Sequence, residues 1–471
     1  MIQLVDCPDF ISSEKLMLKL THSFLVLLFL GNNLFAADAS KPNILLIVAD
    51  DLGWKDVGWH GGSFHTPVMD KLVKEGVELD GHYVQPVCSP TRTALLSGRF
   101  TSRFGPHVLS PTNLRAFPPG TVTLATALKQ AGYSTHMAGK WHLGSKLEWG
   151  PQNYGFDHSY GSLNGAVDPW NHKYRKGPYE DTWHRNGKRI EEEGNATELV
   201  SNEVLGWINS DRKAPWFIYV PFHAVHIPVD APEEYKLKYK NAKLNDDPAK
   251  NESLQRFGSF VTQLDTKIGG FIEALEKTGQ RKNTLIVFTS DNGGLHSGGN
   301  AYVSKVPPTP ALSSNLPLRG QKNTLYEGGI RVCAFANWPG TLEPRKVSAP
   351  LHACDWMPTL TKLAGWNRPL DFKQDGLDIW PMISGKVLKP EPRNIYIPHP
   401  SGSVVNRAGW KLIEYKGKAK AELYHLEKDP YETSNLADKM PDKVKELQAI
   451  LQELKKDDVT KLPEDLVKEK N

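Results

Sequence analysis

Between Gln85 and Phe100 the chain reads QPVCSPTRTALLSGRF. A thiol, Cys88, stands two residues before Pro90 and four before Arg92, at the mouth of a segment with helical spacing. A helix N-terminus offers unpaired N–H groups and the positive end of the helix dipole, so negative charge is stabilised there. Arg92, one turn on, shares the face of Cys88. Spacing alone leaves two chemical readings open: a thiolate nucleophile, or a cysteine modified after synthesis. The inert alternative is a buried structural thiol.

Acidic and amide side chains form a second set. Asp50 and Asp51 end one apolar run, and Asp291 and Asn292 end another. Singly, each reads as a cap for the next turn. Two adjacent carboxylates repel unless a cation neutralises them. Four oxygen donors without a thiolate or histidine cluster suit Ca²⁺, with Mg²⁺ as the other hard cation. The third set is basic: Lys140 and His142 in GKWHLG, His226 in AVHIP, and Lys322 in PLRGQK. A metal ringed by such groups traps a tetrahedral oxyanion. Taken singly, they read as solvated lysines and satisfied histidines.

These residues sit where predicted strands end. Ile44 to Ala49 is a continuous branched, apolar run, the pattern of a strand buried on both faces of a parallel sheet. NTLIVFTSDNGG repeats it, PWFIYVPFHAVHIP reads as a further buried strand with polar residues at its exit, and GYSTHMAGKWHLG reads as a strand that follows a helix stopped near Gly132. Helical spacing separates them, in TPVMDKLVKEGVEL, in TVTLATALKQAG and in the long amphipathic SLQRFGSFVTQLDTKIGGFIEALEKTG. The alternation predicts an α/β sandwich with a mostly parallel central sheet. Ligands of such sheets lie beyond the carboxyl ends of the strands, so distant strand-end residues can converge. Beyond about residue 385, short alternating runs and a terminal helix predict a small antiparallel-sheet subdomain. The tail KLPEDLVKEKN is expected to fray. The expected division is a leader over 1–37, a catalytic α/β domain over 41–385 and the smaller subdomain over 386–471.

The formal net charge of +4 on 471 residues is too small to indicate nucleic acid. Lys15 and Lys19, the apolar run SFLVLLFL and the small residues Ala36, Ala37 and Ala39 make a secretory signal, too short for a stable membrane anchor. Of four cysteines, Cys7 leaves with the leader, and the odd remainder excludes a disulfide framework. Cys333 and Cys354 either pair or stay as buried thiols. The sequons at Asn195 and Asn251 are expected to be bare, because the chain reads as a bacterial exported enzyme, periplasmic or extracellular; a lysosomal homologue is the eukaryotic alternative.

CSPTRTALLSGR resembles the C-x-P-x-R signature of type I sulfatases, and GYSTHMAGKWHLG resembles their second signature. NILLIVADDLG, TSDNGG, PLRGQK and LYHLEKDPYETSNLA match further family segments in order, over about residues 41 to 440. Within the family, AVHIPVDAPEEY and LRGQKNTLYEGGIR look most similar to arylsulfatase B-like enzymes, which remove 4-sulfate from N-acetylgalactosamine. The resemblance implies an alkaline-phosphatase-like core. It implies that a separate maturation enzyme oxidises Cys88 to Cα-formylglycine, whose hydrate attacks sulfur. By the same resemblance Asp50, Asp51, Asp291 and Asn292, with residue 88, would hold Ca²⁺. Arg92 would steady the hydrate, and Lys140 and Lys322 would grip sulfate. His142 would take the proton as the intermediate collapses, and His226 would bind sulfate and protonate the leaving oxygen, a task Lys322 could share.

The segment GSLNGAVDPWNHKYRKGPYEDTW, residues 161 to 183, is expected to line the cleft, with Trp170 stacking on a sugar and Asp168 and His172 bonding hydroxyls. His296 is a further rim candidate. The expected substrate is a sulfated carbohydrate. The rival functions are a phosphonate or phosphodiester hydrolase of the same superfamily, and a sulfated-glycan-binding protein without turnover.

Overall fold

The computed structural model describes residues 41–210, 214–296, 312–417 and 420–468. The leader reading over 1–37 lies outside them. Among the described residues, sixteen strands follow in chain order: β1 (Asn43–Ala49), β2 (Val77–Glu78), β3 (His82–Tyr83), β4 (Ser134–Lys140), β5 (His158–Ser162), β6 (Trp183–Arg185), β7 (Lys188–Arg189), β8 (Trp216–Pro221), β9 (Thr284–Ser290), β10 (Ala334–Asn337), β11 (Arg345–Lys346), β12 (Leu351–His352), β13 (Ile395–His399), β14 (Gly402–Arg407), β15 (Trp410–Tyr415) and β16 (Glu422–His425).

Ten of them form one sheet in the order β11-β2-β10-β9-β1-β8-β4-β5-β6-β7. Its centre, β9-β1-β8-β4-β5, is wholly parallel. The apolar run of β1 explains its central place. Alternate residues feed two cores, with Leu45 and Ile47 on one face and Ile44, Leu46 and Val48 on the other. On the first face lie the Ala196–Asn209 and Pro248–Lys277 helices; on the second lie the Leu124–Gln130 and Trp356–Leu363 helices. The Pro248–Lys277 helix starts five residues before the expected Ser253, because Asp247 caps Ala249 and Lys250 and Pro248 fits the first turn. Asn195 is the buried cap of the Ala196–Asn209 helix.

The alternation read from sequence therefore gives the mostly parallel sheet it implied. β13 to β16 form a separate antiparallel meander, covered by the Pro441–Lys455 helix through Leu447 and Leu451. The tail departs from the expected fraying: Leu466 is buried against Leu114 and Trp149, and Asp465 pairs with Arg115. Cys333 and Cys354 are free and buried, which settles their alternatives in favour of two unpaired thiols. Among the described residues no helix is long and apolar enough to cross a membrane.

Candidate active site

The parallel strands deliver their exits to one place. Backbone bonds align the exits of β1, β8 and β9: Asp50 N–H donates to Ala224 at 3.0 Å, Val225 N–H to Asp50 at 2.8 Å, and Asp291 N–H to Ala49 at 3.0 Å. Asp50, Asp51, Asp291 and Asn292 are all buried there. The donor atoms of Asp50, Cys88 and Asp291 lie within 4.8 Å of one another, as do those of Asp50, Asp51 and His226. Asp50 Oδ1 and Asn292 Oδ1 are buried without a hydrogen-bond partner. Buried oxygens are rarely left so, and a hard cation is the partner that satisfies them. The residues present fit Ca²⁺.

Cys88 is the first residue of the Cys88–Ser97 helix, as its spacing predicted, and no side chain caps that end. Arg92 reaches past it. Its Nε and Nη2 donate to Asp291 Oδ2 at 3.0 and 2.7 Å, and Nη1 donates to the Lys140 carbonyl at 2.7 Å. Lys140 Nζ donates to Asp50 at 2.6 Å, and Lys322 Nζ to both Asp51 oxygens at 2.7 and 2.8 Å. His226 Nε2 lies 3.6 Å from Asp51. Three cationic side chains, Arg92, Lys140 and Lys322, thus face three carboxylates, Asp50, Asp51 and Asp291. A divalent cation would leave the site two charges positive, the sign that receives a sulfate group.

Burial and the neighbouring Asp291 push the Asp50 carboxyl up to about 7. Burial opposes ionisation of Asp51 too, but Lys322 and His226 hold it well below the usual range. Burial and Lys322 depress His226 to about 3, and burial with Lys140 and Arg92 keeps His142 neutral. Burial raises the Cys88 thiol, so the unmodified residue is not the low-pKa thiolate that its helix position allowed. Asp51 and His142 hold left-handed backbone conformations, φ 63° and 57°, which cost free energy in non-glycine residues and cluster at functional sites.

A cavity of about 330 Å³ opens over this centre, lined by Cys88, His142, His226 and Lys322, with Asn113, Gly165, Tyr174 and Arg175 among its outer walls. The ten core residues singled out in the sequence therefore come together. The four residues expected to meet the sugar, Asp168, Trp170, His172 and His296, do not line this cavity. Asp168 caps its own loop, accepting from Trp170 N–H and Asn171 N–H. Trp170, 40% exposed, is tied to Asp230 and lines, with His172, a separate groove. His172 stacks on Trp183 and bonds the Gly194 carbonyl. His296 is held by Asn315 and Gln321. The 161–183 segment does reach the cavity, but through Gly165, Tyr174 and Arg175. Their signal was an aromatic and a basic residue side by side, which the tryptophan overshadowed. Asn113 had none; Ser145 fixes it through two bonds, each 3.0 Å. His223 bonds Ser162 at 2.7 Å, as a neighbour of the centre.

A parallel sheet whose strand exits gather acids, lysines and histidines around a helix-mounted cysteine defines an ester hydrolase of the alkaline-phosphatase-like fold. The sulfatase family model matches residues 42–366, and the chain belongs to the sulfatase family. A second model, the C-terminal region of N-sulphoglucosamine sulphohydrolase, matches residues 320–459. The chain is 34% identical to mouse arylsulfatase J over 79% of its own length and 61% of that protein's, so it spans less than two thirds of that relative. It is 34% identical to rat N-acetylgalactosamine-6-sulfatase, over 81% of this chain and 72% of that one. The crystal structure of Ps i-CgsB in complex with k-i-k-neocarrahexaose is similar at 29% identity and a TM-score of 0.79, covering 89% of this chain and 94% of that one.

Proposed function

We propose that this protein is an exported carbohydrate sulfatase that hydrolyses sulfate esters on N-acetylgalactosamine or galactose units of a glycan, using Cα-formylglycine made from Cys88 by a maturation enzyme, with Ca²⁺. The observation that carries this reading is the convergence of Lys322, His142 and His226 on the Cys88 cavity, with Lys140 behind them in the acid cluster. Bound Ca²⁺ would supply Lewis acidity toward the sulfate oxygens. Converted residue 88 would supply a hydrated aldehyde as nucleophile.

This chain's own residues do the rest. Lys322 and His226 line the cavity and meet sulfate oxygens, while Lys140 stands behind them on Asp50. Arg92 fixes Asp291 and, through the Lys140 carbonyl, the end of β4. His142 is held neutral beside residue 88, the state a proton acceptor needs. Burial and Lys322 depress His226 to about 3; an adjacent sulfate would raise its affinity for a proton, and that proton would serve the leaving oxygen.

The cavity suits one sulfated sugar. A second space of about 480 Å³ shares its Pro111–Asn113 wall and extends past Tyr179 to Leu462, room for a neighbouring unit. The sugar assignment follows the named N-acetylgalactosamine sulfatases and the carrageenan-type ligand of Ps i-CgsB. The resemblance to arylsulfatase B-like enzymes points to a 4-O-sulfate; similarity to several N-acetylgalactosamine-6-sulfatases favours the 6-O-sulfate as a second reading.

The test is mass spectrometry of the peptide holding residue 88, then turnover on defined sulfated sugars. A loss of about 18 Da from the cysteine form marks the aldehyde. Release of sulfate from 4-O- or 6-O-sulfated galactose or N-acetylgalactosamine units supports the proposal and assigns the position. A protein carrying the aldehyde that cleaves only phosphodiesters refutes it. N-terminal sequencing of the exported protein, expected to start after residue 37, checks the leader.

A further inference from the structure

The LYHLEKDPYETSNLA segment has no part in the cavity, yet it carries a charge sealed from solvent. Lys411 Nζ, on β15, lies 2.9 Å from Glu327 and 2.6 Å from Glu432, and all three side chains are buried. Tyr83 donates to the second Glu327 oxygen at 2.9 Å. Glu432 accepts the Glu327 N–H at 2.7 Å, at the start of the short Glu327–Ile330 turn of helix. Glu432 also holds φ 55°, a left-handed conformation. Burying three ionised groups costs several kcal/mol each, and a well-packed apolar cluster would stabilise the fold as well. What such a cluster adds is one fixed arrangement of the elements it joins.

Those elements lead to the site. The loop from Arg319 to Gly329 carries Lys322 and is tied within itself by Gly328 N–H to the Arg319 carbonyl at 2.7 Å. Lys322 N–H donates to Gly294 at 3.2 Å, and Gly293 N–H donates to Gly329 at 3.1 Å, next to Asp291 and Asn292. Gly293 lies so close to Gly328 that a Cβ there would overlap its carbonyl. Asn323 N–H donates to Pro86, two residues before Cys88, at 2.7 Å. On the outer side, Arg319 donates to Tyr424 at 3.1 Å and to the Glu432 carbonyl at 2.8 Å. The loop is thus gripped between the catalytic strand exits and the C-terminal sheet.

We infer that Lys411, Glu327 and Glu432 form a clamp through which the C-terminal sheet sets the position of Lys322, and so the grip on sulfate. The inference rests on the role of Lys322 given above. The three are positioning residues: none lines the cavity, and each acts through the loop.

A double-mutant cycle on the matured, full-length enzyme tests it. Lys411→Met should lower kcat/KM for a sulfate ester by roughly ten- to a hundredfold, the cost of misplacing a group by about 1 Å. In a Lys322→Ala background the same change should have almost no further effect, because the lysine through which it acts is gone. Lys411→Arg should recover most of the activity. Where Lys411→Met fails to fold, Glu432→Gln takes its place in the cycle. Where Lys322→Ala turns over too slowly, affinity for inorganic sulfate by calorimetry closes it. Losses that multiply in full overturn the clamp and leave the functional reading intact. A Lys322→Ala enzyme with undiminished kcat/KM and sulfate affinity overturns both.

Discussion

Arg92 binds Asp291 twice, through Nε at 3.0 Å and Nη2 at 2.7 Å, and neither side chain has any exposed surface. This contact joins the helix that begins with Cys88 to the exit of β9. Lysine cannot reproduce it, since it offers a single point charge without the guanidinium's planar fork. Arg92→Lys should keep a charge beside Asp291 but leave one hydrogen bond unmade, at a cost of about 1–3 kcal/mol of stability. Urea unfolding reads this directly, and kcat/KM should fall in the same variant. An unchanged urea midpoint would count against the pair as a structural tie.

The acid cluster predicts a thermal response to calcium. Lys140 and Lys322 donate to the carboxylates of Asp50 and Asp51, while Asp50 Oδ1 and Asn292 Oδ1 are buried without a hydrogen-bond partner. A ligand that binds only the folded state stabilises it by about 2.7 kcal/mol at a hundred times its Kd. Adding Ca²⁺ to EDTA-treated protein should therefore raise the melting temperature, and Asp50→Asn should abolish most of that rise. The comparison is of increments with and without Ca²⁺ within each protein, so the variant's own starting stability cancels. A full calcium response in Asp50→Asn would remove Asp50 from the ligand set.

Gly165 predicts a separation of activity from stability. A Cβ there would run into the His142 imidazole, at Cε1, Nε2 and Cδ2. The backbone at 165 does not use the left-handed region, so alanine adds no strain of its own. Gly165→Ala should therefore unfold near the wild-type temperature but turn over roughly a hundredfold more slowly, within the range for a displaced acid–base group. Calorimetry and kcat on one preparation decide it. Wild-type kcat would mean that the imidazole position is not critical.

The uneven legibility of the sequence has a physical cause. β1, β8 and β9 were visible because strands buried on both faces must be apolar along their length, whereas β4, STHMAGK, carries polar residues and was placed by the helix that stops just before it. Most of the core site was visible because its residues follow those strands or lie on the helix that Cys88 opens; Lys322, expected at a strand end, instead lies on a loop before the Glu327–Ile330 helix. β2, β3 and β7 are two residues each, too short to show a period. The outer cavity wall was misread for another reason. Trp170 drew attention as an exposed aromatic, but its Nε1–H is held by Asp230, which turns it into a separate groove. Which side of a loop faces a cavity is set by tertiary contacts that local composition does not encode. Docking of the tail also depends on such contacts, through Leu466 against Leu114 and Trp149.

The pH dependence of stability supplies a last test, remote from the site. His82 and His352 are fully buried. Burial, aided for His82 by His352 and for His352 by Arg393, depresses each to about 3. His82 accepts the Trp356 Nε1–H at 3.0 Å, which requires a neutral ring. In the unfolded chain a histidine takes its proton near pH 6.5. Below that pH the unfolded state binds the extra proton, so the contribution of His82 is complete above pH 6.5 and is lost as pH falls toward 3. The slope is about 1.4 kcal/mol per pH unit for one group. Asp56, raised to about 6 by its burial, works in the opposite direction over part of this range, so the whole-protein curve is a sum of opposed effects. A variant isolates one of them. His82→Gln keeps an acceptor for Trp356 and removes the titration. Its deficit against wild type, measured by urea unfolding at pH 7.5 and 5.5, should shrink by roughly 1.4 kcal/mol across the unit below pH 6.5. A deficit that is the same at both pH values would mean that His82 does not titrate on unfolding as its burial requires.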